Sequence, residues 1–191
     1  GVQPCALPIS SERAAHHGIE FVGIDSWATE PAMIEFVAAD LRRRLDAMPA
    51  DTKVLFTAHS LPQRIVAAGD PYPDELRSTA EAVAAAAGLS GWSNWAIAWQ
   101  SAGRTPEPWL GPDILTVIDD LAAAEHDTAS ERGVLVSAVG FVSDHLEVLY
   151  DLDIEASKRA ASHGLAFDRT ACVNDDATVM AALARRVLEV A

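Results

Sequence analysis

Four short apolar runs, spaced by segments of helical pattern, restrict this chain to very few architectures. Residues 19–24, 53–58, 95–100 and 134–139 each have strand length and strand composition. Between the first two, residues 31–48 carry an amphipathic helical pattern with Pro31 at its start, where a missing N–H costs nothing. A turn at Gly69-Asp70-Pro71-Tyr72-Pro73 leads into a long Ala-rich helix predicted to stop at Gly88. A polar loop, 101–109, precedes a helix opening at Pro112. Beyond the fourth run the spacing predicts a helix with Ser143 as N-cap that reaches about His163. Residues 165–167 read as a short fifth strand, and Asp175 or Asp176 opens a last helix through Val190. Strands alternating with helices of this size form βαβ units, so the expected fold class is α/β, a mostly parallel sheet covered on both faces. No internal repeat is visible, and the Ala run in 82–87 is the one low-complexity stretch.

In such a sheet, ligands bind outside the carboxyl ends of the strands. His59 follows the second run, Gln100 and Ser101 follow the third, and Glu147 lies early in the helix after the fourth. Residues far apart in sequence are thereby expected on one rim. On that helix Asp144, Glu147, Asp151 and Glu155 stand at offsets 0, 3, 7 and 11, which gives four carboxylates one face, with His145 beside them. An acidic stripe is commonly a solvated face, and acids in a first turn suit the helix dipole. A histidine at a strand end is as readily a turn residue bonded to backbone. Their convergence is what points to metal. An imidazole with a carboxylate suits borderline divalent ions, whereas an all-oxygen set would favour Mg²⁺ or Ca²⁺. Two ligands are too few for a closed structural site, so a metal held here is labile or completed by another group.

The charge agrees. Asp plus Glu number 28 against 14 Lys plus Arg, a formal net charge of −14, which opposes nucleic acid and anionic membranes and suits cations. No apolar run is long enough to span a bilayer. Two cysteines, Cys5 and Cys172, make no disulfide framework, so a reducing cytoplasm is the expected compartment and Cys172 a buried or half-buried free thiol. Trp92, Trp95, Trp99 and Trp109 are expected in core or loop packing, with Trp109 near the rim; His16, His17, His126 and His163 are expected on the surface. Phosphate-binding fingerprints, H-E-x-x-H and a G-x-S-x-G elbow are absent from the sequence. Residues 1–9 fit none of the pattern that follows and resemble a translated sequencing adapter, so a non-native leader is expected there, with the natural domain over 10–191.

Four segments together resemble the ferrochelatase family, which inserts ferrous iron into porphyrins. They are Phe56-Thr57-Ala58-His59-Ser60-Leu61-Pro62, Gly69-Asp70-Pro71-Tyr72-Pro73, Gln100-Ser101 with Pro108-Trp109-Leu110-Gly111-Pro112, and the run from Gly140 through Asp153 that contains Ser143-Asp144-His145-Leu146-Glu147. The similarity runs from about residue 19 to the end and is nearest the actinobacterial branch. What it implies is a Rossmann-like, chelatase-type domain, the C-terminal of two, with the N-terminal domain and its tyrosine and arginine facing the porphyrin not represented. The implied reaction is insertion of Fe²⁺ into coproporphyrin III, giving coprohaem. A protoporphyrin-using enzyme and a non-catalytic metal- or tetrapyrrole-binding domain are the alternatives. Carried over by position, His59 and Glu147 are the implied catalytic iron ligands, with Asp144, His145, Asp151 and Glu155 as a supporting acidic path. Ser60 and Trp109 are porphyrin-cleft candidates. The family's acidic helix carries a π-type widening, which lets offsets of four point into one cleft. Relatives with a [2Fe–2S] cluster use four cysteines; two scattered ones cannot supply them, so no iron–sulfur cluster is expected.

Overall fold

Strand β1 (Asp51–His59) is the axis of the molecule, apolar on both faces because it lies between two neighbours. The structure, a computed structural model, describes residues 6–89, 94–124 and 131–190. β1 pairs in parallel with β2 (Trp95–Gln100) on one side and β3 (Arg132–Ser137) on the other, and β4 (Ala166–Arg169) closes the order β2-β1-β3-β4. The α/β reading with a parallel sheet holds. Register is fixed by burial: Val54 faces Trp95 and Leu135, and His59 ends opposite Gln100.

Side-chain alternation sorts the core into two layers. Val54, Phe56 and Leu135 meet α2 (Pro31–Leu45) and α4 (Tyr72–Ala87) through Val37, Leu41, Ala80 and Val83. Leu55, Ala98, Val134 and Val136 meet α5 (Ile114–Ala123) and the helix after β3 through Ile118, Val148, Leu152 and Ala156. The helix ends follow local chemistry. Gly88 takes φ 76° to cap α4, and Asp113 Oδ1 accepts from Leu115 N at 2.8 Å to open α5. Asp176 Oδ1 accepts from Thr178 N and Val179 N, each at 3.0 Å, and opens α8 (Ala177–Val190). Short helices α1 (Ala6–His16) and α3 (Gln63–Ala67) complete the first half.

Residues 19–24, expected as a strand, form none. Ile19 and Val22 are exposed, and no described strand pairs with this segment. Strand propensity is a fit to a half-buried pleated surface, and without a ladder partner it decides nothing.

The helix after β3 departs in two ways. It begins at α6 (Leu146–Val148) with His145 as N-cap, two residues beyond Ser143. The cause is a tether: Asp144 N donates to Asn174 Oδ1 at 2.9 Å and Asn174 N to Val142 O at 2.8 Å, holding 142–144 out of helical geometry. It then widens into a π-helix over Leu149–Ala156 before continuing as α7 (Ser157–Ser162).

The β3–α6 turn lies against β1. A Cβ on Gly140 would stand 2.3 Å from Ala58 Cβ and 2.7 Å from its Cα. The obstacle is backbone, which cannot step aside. Gly140→Ala is therefore expected to cost about 2–3 kcal/mol through overpacking, read as a lowered urea midpoint; an unchanged midpoint would mean the turn moves freely.

Candidate metal-handling site

His59 is the last residue of β1, half-buried, at the carboxyl end of the sheet. Its Nδ1 contacts the Ser60 carbonyl. A carbonyl only accepts, so in the neutral ring Nδ1 carries the proton and the lone pair is on Nε2. Tyr72 OH donates to the His59 carbonyl at 3.2 Å and steadies the strand end from the other face. Burial, ahead of the neighbouring Asp70 charge, pushes the Tyr72 phenol up to about 12, so it remains a donor at every ordinary pH.

The acidic helix reaches the same rim. Asp151, in the π-helix, accepts from Ser101 Oγ and from Gln100 Nε2, the latter at 3.4 Å. Gln100 is the register partner of His59. The imidazole and the acidic helix thus approach through one intervening residue. Glu147 lies one turn before Asp151 and Glu155 one turn after, both exposed. The i→i+5 bonding of a π-helix takes more residues per turn than an α-helix, which favours alignment of side chains four apart. His145 Nε2 stands 3.9 Å from Glu147 Oε2. His59 and Glu147 share no hydrogen bond or ion pair. Among the described residues, no three or more His, Cys, Asp and Glu side chains gather closely enough to hold a metal. The described residues therefore form no closed structural metal site here.

Asp144 is the correction to the four-carboxylate stripe. It precedes the helix, and its carboxylate is engaged by Arg169 Nη1 at 2.7 Å and Asn174 Nδ2 at 2.7 Å. Burial alone would raise its pKa. The bonds from Asn174 and Arg169 and the Arg169 charge outweigh that and hold it below the ordinary carboxylate value. Arg169 also takes Asp153 through both Nε and Nη2, so one guanidinium ties the entry loop to the π-helix. Nothing in spacing or motif pointed to Arg169 or Asn174; both lie beyond β3 in a segment read as strand and loop.

Ser60 is fully buried, and its hydroxyl donates to the Leu110 carbonyl at 2.8 Å, which ties the 101–111 loop to the rim. Trp109 is half-buried in that loop, its Nε1 donating to Thr105 Oγ1 at 2.9 Å, with Gly103 packed under the indole. Trp95 and Trp99 are core, as composition indicated; Trp92, His126 and Cys5 lie outside the described residues. Cys172 is a buried free thiol, pushed up to about 12 by burial and then by the Asp144 charge.

A pocket open to solvent lies elsewhere. Trp27, Met33, Tyr72, Leu76, Phe141 and Val173 are on its walls, which places it over the α2–α4 side; neither His59 nor Glu147 lines it. The rim that carries His59 and this pocket are therefore separate features of the fold.

A family model described as Ferrochelatase matches residues 8–191. The chain is 44% identical over 162 residues to a ferrochelatase of Herpetosiphon aurantiacus, covering 83% of this chain and 50% of that protein. It is 41% identical over 170 residues to a coproporphyrin III ferrochelatase of Geobacillus thermodenitrificans, covering 87% and 52%. Among solved structures, SirB from Bacillus subtilis with Fe³⁺ matches with a TM-score of 0.57 over 99% of this chain and 66% of that one, at 16% identity, a likeness of fold alone. The chain spans about half the length of the curated relatives it matches.

Proposed function

The chain belongs to the ferrochelatase family, and on that premise we propose that it is the metal-handling, C-terminal half of an enzyme inserting Fe²⁺ into coproporphyrin III. Residues 10–191 are the domain in this reading, and 1–9 a leader outside it. One observation carries the proposal. The end of β1 and the π-helix are joined through Gln100, the register partner of His59, and Asp151, which supports reading the imidazole and the acids of that helix as one site.

Metallation requires removal of two pyrrole protons and dehydration of the ion. A neutral imidazole is a competent acceptor near neutral pH and a ligand that prefers Fe²⁺ to Mg²⁺. His59 takes the proton or the ion at Nε2, and Glu147 is the second iron ligand. Glu155 and Asp151 form the approach, and His145 supports Glu147. Leu146, Leu149 and Tyr150 leave an exposed apolar strip beside these acids, which suits a face that a planar macrocycle or the other half of the protein covers. Trp109 borders the cleft. The reaction places the protein among the porphyrin-pathway enzymes of the cytoplasm, with a tetrapyrrole and ferrous iron as substrates. The described helices include none long and apolar enough to cross a membrane.

The half-length match favours a second reading, a domain that binds metal or tetrapyrrole and turns over only when completed. Anaerobic Fe²⁺ insertion, followed as loss of porphyrin fluorescence, separates the readings when run on this chain and on the chain joined to the N-terminal half of the Geobacillus relative. Turnover in the joined form only supports the second, turnover in both the first, and turnover in neither overturns the assignment. Coproporphyrin III is expected to outpace protoporphyrin IX. In the active form Glu147→Gln is expected to raise the apparent KM for iron about tenfold or more, a carboxylate ligand having become a neutral isostere. An unaltered iron dependence would remove Glu147 from the ligand set.

A further inference from the structure

Two buried side-chain oxygens among the described residues have no hydrogen-bond partner, Thr57 Oγ1 and Gln100 Oε1. Thr57 is 0% exposed and Gln100 1%. Thr57 pairs with Ala98 and Gln100 with His59, so the two lie on neighbouring strands two register positions apart. Thr57 is two residues beyond Leu55 on β1, and Gln100 two beyond Ala98 on β2, so alternation puts both on the face covered by Val148 and Leu152. His59 stands opposite Gln100 in the ladder. Gln100 Nε2 reaches Asp151 on the helix above.

We infer that Thr57 and Gln100 hold one buried water beneath the π-helical turn, and that this water keeps the Gln100 amide with its donor side on Asp151. A hydroxyl or amide oxygen withdrawn from solvent with no donor is costly, and buried waters in native proteins typically bond two to four such otherwise unpaired polar groups. Turning the amide over does not help: it would aim the oxygen at a carboxylate and leave the NH2 group buried and unpaired. Thr57 donates to the water or accepts from it, whereas Oε1 only accepts, so the water donates to Gln100. That donation fixes which end of the amide faces Asp151. Ser101 supports the assignment from the other side. It is one of two described non-glycine residues with positive φ, at 59°, and its Oγ also grips Asp151. The positive φ of Ser101 is a cost borne beside Gln100 to orient the same carboxylate. Gln100 and Thr57 are thus positioning residues, acting on the acidic approach through Asp151.

The test has three arms on the full chain. A high-resolution crystal structure is expected to show one solvent peak within hydrogen-bond reach of both oxygens; a dry gap overturns the inference. Urea unfolding of Thr57→Val, Gln100→Met and the double variant reads the same site independently. With the water held, Thr57→Val lowers the midpoint, and the double variant, which expels the water, loses less than the sum of the two. With no water, Thr57→Val exchanges an unpaired hydroxyl for a methyl and raises the midpoint, and the two changes add; either result overturns the site. The third arm is Co²⁺ titration of Thr57→Val, expected to show a several-fold weaker affinity. Only this arm rests on the metal reading. Unchanged affinity beside a confirmed water overturns the positioning role and leaves the water in place.

Discussion

His59→Ala, in the form of the enzyme that turns over, is expected to lower the rate of Fe²⁺ insertion by about 10²- to 10⁴-fold, the range for loss of a positioned acid–base group. The fold should survive. His59 ends its strand half-buried, and its side-chain bond is to the adjacent Ser60 carbonyl, so the change empties no core position. Circular dichroism and the urea midpoint are expected near those of the parent. A split result is informative: a fall in kcat with iron KM unchanged assigns His59 chiefly to the proton, and a rise in iron KM assigns it to the ion. Unchanged turnover would remove His59 from the site altogether.

Arg169→Gln is expected to produce the largest loss of stability from a single polar change. The guanidinium is 15% exposed and binds two carboxylates, Asp144 at 27% and Asp153 at 40% exposure. Removing one partner of a buried pair costs about 3–5 kcal/mol, and partial solvation of the two acids reduces that here to about 2 kcal/mol. The sign of the pH dependence follows from Asp144. Its folded pKa lies below the ordinary carboxylate value, so its contribution is fully present above about pH 4 and is lost as pH falls through the depressed value. Parent and variant should therefore differ most near neutrality and converge in acid. A gap that stays constant down to pH ~2 would show that the Asp144 pair is not its source. Amide exchange over 142–153 is expected to quicken in the variant, because Arg169 joins the entry loop to the π-helix.

The elements legible in sequence were those whose pattern is local. The third run became β2 at the predicted residues, the second became β1 with both ends extended, to Asp51 and His59, and Pro31 and Gly88 marked a helix start and a helix end as their backbone preferences require. Residues 19–24 had the right composition for a strand and no ladder to join. Ser143 had the chemistry of an N-cap, but a tether from Asn174 pulled the turn away and gave the cap to His145. Asp144 fell on the stripe by arithmetic and left it through contacts with residues 25 and 30 positions away.

By itself the sequence determined the parallel α/β architecture, the placing of His59 and Gln100 at strand ends and of Glu147 in the first turn of the helix after β3, because strand length, helical period and turn residues act over a few positions. Tertiary structure alone decided which acids stay free. Arg169 and Asn174 withdraw Asp144, the Gln100–Ser101 corner orients Asp151 without withdrawing it, and Ser60 turns inward to Leu110. The reason is physical: a carboxylate's partner is set by distance through space, and one sequence carries no record of which distant residue arrives.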